Sequence, residues 1–181
     1  LSGRFAVASF GSVCLLKIST TQRLLLNGDR GPDCISFSLE ASGQADDHKV
    51  FSIPIAAYSV NGFRQGMQES HFELSADSTT YLAITSAQRF NSYLERNEQD
   101  DLIEMMQASN ALQIAPLMHQ HMAQEFEQLI HTPLSTATQR QQVGHRLYTL
   151  FLKCLTHNRT ESCFIPFANS PRQQLVHELI R

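Results

Sequence analysis

The sequence contains no apolar run that could cross a membrane and no block of basic residues. A membrane-spanning helix needs roughly 20 consecutive apolar residues, whereas the longest apolar stretches here, residues 6–10 and 13–18, have the length of β-strands. Affinity for nucleic acid requires clustered Lys and Arg, but the formal net charge of this chain is −3. These absences predict a soluble chain with no membrane partner and no basic surface of its own for DNA.

Cysteine is scarce as well, and no two cysteines form a CxxC pair. Cys14, Cys34, Cys154 and Cys163 have the number and spacing typical of reduced thiols in a cytoplasmic protein. In the predicted last helix Cys154 shares a face with His157, and Cys163 could fold back beside them, but a tetrahedral zinc site requires a fourth ligand. No candidate for that ligand stands out, so we predict a buried thiol at Cys154 and no bound metal.

Motifs of catalysis and of phosphate binding are absent too. The chain has no G-x-S-x-G elbow, no G-x-x-x-x-G-K loop and no G-x-G-x-x-G loop. His119 and His121 form an HxH pair, but they fall in a predicted helix, where residues two apart point about 200° away from each other. The first 85 residues hold only His48 and His71 as histidines. We therefore predict no catalytic residue, no metal, no cofactor and no enzymatic activity.

The chain changes its hydrophobic period within residues 70–94. Before Ser86, short alternating and apolar stretches predict strands. After Ser86, which can cap a helix, Phe90, Tyr93 and Leu94 fall on one helical face. The N-terminal half is therefore predicted to be β and the C-terminal half α, a layout that suits a sensor better than a catalyst.

Several short strands with turns between them, and no helical pattern, fill the β half. This arrangement indicates an antiparallel barrel or sandwich. In the clearest strand, residues 34–42, the side chains of Ile35, Phe37 and Leu39 share one face, which we expect to be core or pocket floor. The Asn61-Gly62 dipeptide is a favoured hairpin turn.

Four helices are predicted in the second half, over residues 86–96, 100–109, 116–130 and 136–157. The last region is superficially similar to a helix–turn–helix, but Thr138, Arg140 and Gln141 are polar where that motif needs apolar residues, so one continuous helix is expected. Its wide apolar stripe is either ordinary core or a dimer interface. The stripe consists of Val143, Leu147, Leu150, Phe151, Cys154 and Leu155, and the first five are the candidate interface residues.

Four stretches resemble AraC-family transcription regulators. Three are similar to the N-terminal regulatory half of that family: LSGRFAVASFGSVCLLKIS, CISFSLEASGQ and HFELSADSTTYLAITSAQRFNSYL. The terminal SPRQQLVHELIR resembles the linker helix that leads to the family's DNA-binding half. The resemblance covers almost the entire chain.

The resemblance implies an α+β fold with three parts. Residues 1–85 would form a cupin-like antiparallel β-barrel, residues 86–168 a helical dimerisation segment packed on it, and residues 169–181 the start of a linker helix to a missing DNA-binding domain. The expected partners are a small-molecule effector or a regulatory protein at the barrel, and a second copy at the helices. DNA would be bound only through the missing helix–turn–helix domain.

An effector pocket of this kind is mostly apolar with a few polar groups. Taking one apolar wall residue and five polar side chains of the β half, the candidate ligand-binding residues are Arg30, Phe37, Tyr58, Arg64, His71 and Tyr81. Each of them has an alternative role as barrel filling or as a solvated loop residue. Three functions stay open: the sensor domain of a bacterial transcriptional activator, which we favour, an adaptor with a filled barrel, and a small cupin-type metal-dependent enzyme.

Overall fold

The computed structural model of the chain describes residues 3–44, 47–157 and 164–166. The strands in these ranges are β1 (Gly3–Phe10), β2 (Val13–Thr20), β3 (Leu24–Asp29), β4 (Cys34–Glu40), β5 (Lys49–Val50), β6 (Ile53–Pro54), β7 (Ser59–Asn61), β8 (Glu69–Leu74), β9 (Ser78–Ser86), β10 (Ser109–Gln113) and β11 (Phe164–Pro166). The helices are α1 (Ala87–Arg96), α2 (Asp100–Ala108), α3 (Pro116–His131) and α4 (Ala137–His157).

The strands form two antiparallel sheets. The larger has seven strands in the order β1-β2-β9-β4-β7-β10-β11, and the smaller has four in the order β3-β8-β5-β6. The predicted α+β class is confirmed. Among the described residues no strand pairing joins one sheet to the other, so closure into a cupin-like barrel is not confirmed.

The strand-to-helix junction at Ser86 is confirmed. β9 lies between β2 and β4 in the larger sheet and runs directly into α1. The Ser86 hydroxyl accepts a hydrogen bond from the Arg89 N–H at 3.2 Å and donates to Asp33 Oδ2 at 2.5 Å. Asp33 Oδ1 in turn accepts from the Gln88 N–H at 3.0 Å. Two side chains therefore satisfy the first N–H groups of α1, as helix starts require.

The larger sheet is buried on both faces over β4 and β9, whereas its edge strand β1 is largely exposed. On one face Ile35, Phe37 and Leu39 are at most 1% exposed and pack against the helices. The Phe37 ring stacks on Phe151 of α4, with centroids 4.2 Å apart. Since side chains alternate along a strand, the residues between them on β4 point toward the opposite face. That face is apolar over β2 and β9 and packs against the smaller sheet through a separate cluster of buried residues: Ile18, Val50, Phe72, Leu74 and Leu82.

Helix α4 is continuous, as predicted, and lies close against the β1–β2 turn. A Cβ on Gly144 would come within 2.4 Å of the Phe10 carbonyl oxygen, so glycine permits this approach. Tyr148 on the same side of α4 is hydrogen-bonded to the hydroxyls of Ser12 at 2.9 Å and Thr85 at 2.7 Å. The helix is therefore part of the subunit's own core.

This packing bears on the predicted dimer stripe. Leu147, Leu150, Phe151 and Cys154 are at most 6% exposed within one subunit, and Val143 is half-buried. Burial raises the pKa of the Cys154 thiol to about 12, which keeps it protonated. In this conformation the four buried side chains have no free surface to offer a second copy.

Two local predictions are wrong. Residue 109 was expected to end a helix, but it begins β10, which pairs Ala111 with Asn61 of β7 and joins the larger sheet. The Asn61-Gly62 dipeptide is not a hairpin turn, because Asn61 pairs with Ser38 of β4 on the other side. Gly62, at φ +94°, donates its N–H to the Asn110 carbonyl at 2.9 Å. Contacts between distant segments override the local turn preference here.

No helix in the described part of the chain is long and apolar enough to cross a membrane. The predicted linker helix over residues 169–181 and the third zinc candidate, Cys163, lie outside the described residues.

Candidate ligand-binding cavity

A cavity of about 450 Å³ lies where the end of β4, the loop before β7 and the first turn of α3 meet. Its polar wall includes Glu40, Tyr58, Ser59 and His119, and residues 55–57 supply apolar surface. Small-molecule sites enclose about 300–1,000 Å³ and combine apolar walls with a few polar groups. In size the cavity is suited to a small organic molecule, and its lining is more polar than that of a typical site.

Gly43 and Tyr58 shape one side of the cavity. The Tyr58 N–H donates to the Gly43 carbonyl at 2.7 Å, and the Tyr58 carbonyl accepts from the Ile114 N–H at 2.9 Å. Tyr58 has φ +53° and Gly43 has φ +73°, both in the left-handed region. Backbone strain of this kind persists only where surrounding bonds hold it, and it is concentrated at functional sites.

A side chain at position 43 would disrupt this wall. A Cβ there would lie 2.5 Å from Tyr58 Cδ1, far inside ordinary contact distance, and 3.1 Å from His119 Cε1, a tight contact. Glycine is therefore favoured at this position for two reasons: it adopts this φ angle readily, and the two rings leave no space for a larger side chain. The two rings meet edge to face, with centroids 5.6 Å apart.

His119, which lines the cavity, has a buried nitrogen that is unpaired in the described part of the chain. The residue is 2% exposed, and its Nε2 has no hydrogen-bond partner among the described residues. Burial lowers the pKa of His119, more strongly than the charge of Glu40 raises it, so the imidazole is neutral near pH 7. Leaving a buried polar atom unpaired costs about 1–3 kcal/mol. A ligand that bonds to this nitrogen would recover that cost.

Glu40 provides the charge of the cavity. It is 5% exposed, and its Oε2 accepts a hydrogen bond from the Ser42 hydroxyl at 2.5 Å. A second buried imidazole, His48, also feels this charge, but its nitrogens are paired with the hydroxyls of Thr80 at 3.2 Å and Ser75 at 3.5 Å. Of the two imidazoles, His119 is therefore the one with an unpaired nitrogen among the described residues.

The cavity does not hold a set of metal ligands. Over residues 3–44, 47–157 and 164–166, no group of three or more His, Cys, Asp or Glu side chains is arranged to bind an ion. His121, the other half of the HxH pair, is exposed while His119 is buried. The two side chains thus point apart on α3, as helical geometry predicts.

One of the six predicted ligand residues, Tyr58, lines this cavity. Phe37 lies in the core beneath the helices, stacked on Phe151. The Tyr81 hydroxyl donates to Glu127 Oε2 at 2.5 Å on the helix side of the sheet, and both burial and Glu127 raise the pKa of Tyr81.

The remaining three lie in other parts of the fold. The Arg30 guanidinium donates to the backbone carbonyls of Cys34 at 2.7 Å and Gly62 at 2.5 Å, which connects the start of β4 to the residue after β7. The Arg64 backbone N–H donates to the Asn110 side chain at 3.3 Å. His71 lies 3.8 Å from a Glu73 oxygen on the smaller sheet. The structure therefore does not gather the six predicted residues into one site.

Glu40, Gly43 and His119 line the cavity but are not among the predicted site residues, although two of them carry a signal in the sequence. His119 stands at helical spacing with the buried Met122, Phe126 and Leu129 of α3, so it is a polar residue within an apolar stripe. Glu40 continues the polar face of the alternating strand β4 into the buried interior. No comparable signal marks Gly43, whose role depends on Tyr58 lying above it.

No family model and no curated protein matches the sequence. Among solved structures, the fold is similar to that of the AraC-like transcriptional activator CuxR, with a TM-score of 0.57 at 9% identity, over 98% of this chain and 63% of the CuxR chain. At this identity the similarity concerns the fold. The resemblance to AraC-family regulators that the sequence indicates is confirmed at that level.

ToxT from Vibrio cholerae is a weaker match, with a TM-score of 0.46 at 12% identity over 97% of this chain and 64% of that chain. ToxT from strain O395, bound to (E)-4-(8-methylnaphthalen-1-yl)but-3-enoic acid, gives 0.43 at 13% over 99% and 66%. Because both TM-scores are below 0.5, we draw nothing further from them. The chain spans 63% of the length of CuxR, so any activity of a whole regulator is a matter for proposal.

Proposed function

We propose that this chain is the regulatory domain of a bacterial AraC-type transcriptional regulator, and that it binds a small effector in the cavity between Glu40 and His119. The fold shared with an AraC-like activator supports the class of protein. The observation that carries the sensing role is that His119, a residue lining a cavity of about 450 Å³, has a buried Nε2 with no partner among the described residues. We also propose that the domain controls a separate DNA-binding half, and that the protein is cytoplasmic.

Helix α3 is the element through which an effector would act. Its first turn contributes His119 to the cavity, while near its other end Glu127 binds Lys17 of β2 through both carboxylate oxygens at 2.7 Å. A ligand that joins Glu40 to His119 would bind most tightly to one position of α3 relative to the sheet. Differential affinity for two positions is what shifts a conformational equilibrium.

Homodimerisation is part of this proposal, with a revised location. Of the predicted stripe, Leu147, Leu150, Phe151 and Cys154 are buried in the subunit. A helical interface would therefore use the outer, polar side of α4, where residues such as His145 and Arg146 are exposed. Such an interface would be more polar than the one that the apolar stripe predicts.

Native mass spectrometry of the purified chain tests the proposal, because it reports bound small molecules and oligomeric state together. We expect a discrete organic adduct after incubation with a metabolite extract. The adduct should be lost in His119→Gln and kept in His121→Gln, a matched control that changes an exposed histidine two residues away. If no compound binds, or if both variants behave alike, the cavity is not a sensing site.

An adaptor role is the second candidate, because the space between the two sheets is filled. Ile18, Val50, Phe72, Leu74 and Leu82 are all less than 10% exposed there. A chain with a solid interior would respond to a protein rather than to a small molecule. Retention of a protein partner by both histidine variants, without any small-molecule adduct, would favour this function.

A further inference from the structure

We propose that the ligand of the cavity is a small organic amine, bound as its ammonium ion by Glu40 and His119. This inference rests on the proposed function and specifies its ligand class. Glu40 is the only charged side chain among the described residues that line the cavity, and no Lys or Arg is among them. The charge inside the cavity is therefore negative.

Burial makes the Glu40 carboxylate selective for a cationic ligand. At 5% exposure the Glu40 carboxylate has lost most of its contact with water, and a buried charge is stabilised by an opposite charge that also forms hydrogen bonds. An ammonium group meets both requirements. A carboxylate or phosphate ligand would be repelled by Glu40 and would find no cationic side chain among the described lining residues.

His119 adds a second acceptor. Its neutral imidazole accepts a hydrogen bond at Nε2 when the ring proton is on Nδ1. An ammonium has three N–H donors and no acceptor, so one donor satisfies Glu40 and another satisfies His119. The edge-to-face Tyr58 ring completes the wall, and aromatic faces attract cations.

Three probes of equal size and different charge test the inference: benzylammonium, benzyl alcohol and benzoate. Each is titrated into the 181-residue chain by calorimetry, with saturation-transfer NMR as a check on weak binding. Because a hydrogen-bonded charge pair is stronger than a neutral hydrogen bond, we expect benzylammonium to bind about tenfold more tightly than benzyl alcohol. Benzoate should bind most weakly.

Two variants, Glu40→Gln and His119→Gln, test which side chain is responsible for binding the probes and for the preference for benzylammonium. Glu40→Gln keeps an oxygen that can accept from Ser42 and should reduce the preference for benzylammonium over benzyl alcohol to about one. His119→Gln should weaken all three probes, and His121→Gln should change none. Thermal melts establish that each variant is folded, and if Glu40→Gln fails to fold, the order of the three probes on the unmodified chain decides the question.

The outcomes separate the ligand class from the proposed function. If benzoate binds at least as well as benzylammonium and is lost in His119→Gln, the cavity senses a ligand and the amine inference is wrong. If Glu40→Gln keeps the full preference for benzylammonium, the inference is again wrong. If no probe binds the unmodified chain, the amine inference fails, and the adduct experiment with a metabolite extract decides separately whether the cavity binds a ligand.

Discussion

The two ends of α3 differ in whether their polar side chains are paired. Near the C-terminal end, Glu127 accepts hydrogen bonds from Lys17 and Tyr81 and lies 3.2 Å from His131 Nε2. At the N-terminal end, His119 is more deeply buried, yet its Nε2 has no partner among the described residues. A saturated polar cluster holds elements together, whereas an unsaturated buried group costs stability and marks a site for a ligand.

The pKa values follow the same division. Hydrogen bonds from Lys17 and Tyr81 lower the pKa of Glu127, so the cluster stabilises its charged form. Burial lowers the pKa of His119, so its surroundings oppose the charged form. We therefore expect replacement of Glu127 and replacement of His119 by leucine to have opposite effects on the stability of the unliganded protein.

The largest effect is expected at Gly43, beneath the His119 end. Gly43→Ala places a Cβ 2.5 Å from the Tyr58 ring at φ +73°, and should lower the free energy of unfolding by about 2–4 kcal/mol through overpacking and backbone strain. Urea denaturation measures the loss.

Gly66→Ala is the matched control, because Gly66 has the same φ of +73° and an added Cβ would meet nothing within 4 Å. It should cost about 1 kcal/mol from the backbone alone. Equal losses in the two variants would show that the contact with Tyr58 does not constrain position 43.

At the other end, Glu127→Leu should destabilise the protein by about 1 kcal/mol. It removes the acceptor of Lys17 and Tyr81. The estimate allows for solvent screening, because the Glu127 side chain is 42% exposed. Chemical denaturation gives the change. His131→Ala, which removes the most exposed partner of the same carboxylate, should change stability by only a few tenths of this amount.

His119→Leu should have the opposite sign. Replacing an unpaired buried imidazole by an apolar side chain should stabilise the unliganded chain by up to about 1 kcal/mol, and should abolish binding of any ligand that uses Nε2. Denaturation and ligand titration on the same variant measure the two effects. A loss of stability as large as that of Glu127→Leu would contradict the distinction between the two ends of α3.

The smallest effects are in the pH dependence. The folded-state pKa of His119 lies below its ordinary value of 6.5, so keeping the imidazole neutral costs no additional stability above pH 6.5, and stability is lost as pH falls from there through the folded pKa. The stability advantage of His119→Leu should therefore grow between pH 7 and pH 5. His48, whose pKa is also lowered by burial, is present in both proteins and cancels in the comparison.

Glu127 should respond in a lower pH range. Its folded-state pKa lies below the ordinary value of 4.5, so its stabilising effect is complete above pH 4.5 and is lost as pH falls through the lowered pKa. The deficit of Glu127→Leu should shrink in that acidic range and stay constant near pH 7. A deficit that changes most between pH 5 and pH 7 would assign the effect to a histidine instead.

Much of the fold was predictable from local pattern. The strand-to-helix change at Ser86, the extents of α1 and α3, the continuity of α4 and the opposed directions of His119 and His121 all follow from periodicity and capping. Each of these features depends on residues that are close together in the chain.

The failures share a different cause. The sequence pattern predicts a helix at residue 109, which instead begins β10. It predicts a turn at Asn61-Gly62, which instead lies between β4 and β10. In both cases strand pairing with distant segments outweighs a local preference. The six predicted ligand residues follow from residue type and remain a prediction; five of them lie outside the cavity. Residue type alone does not say which face of a strand meets the helices.

By itself, the sequence determined the strand-rich N-terminal part, the helices and the junction between them, because spacing and caps act over a few residues; it did not predict that β10 and β11 of the C-terminal half join the larger sheet. The tertiary structure alone decided which face of β4 carries Phe37 to the helices and which carries Glu40 into the interior. It also brought Glu40, Gly43, Tyr58 and His119 to one cavity from separate segments. A site of this kind is created by packing, since no single segment contains it.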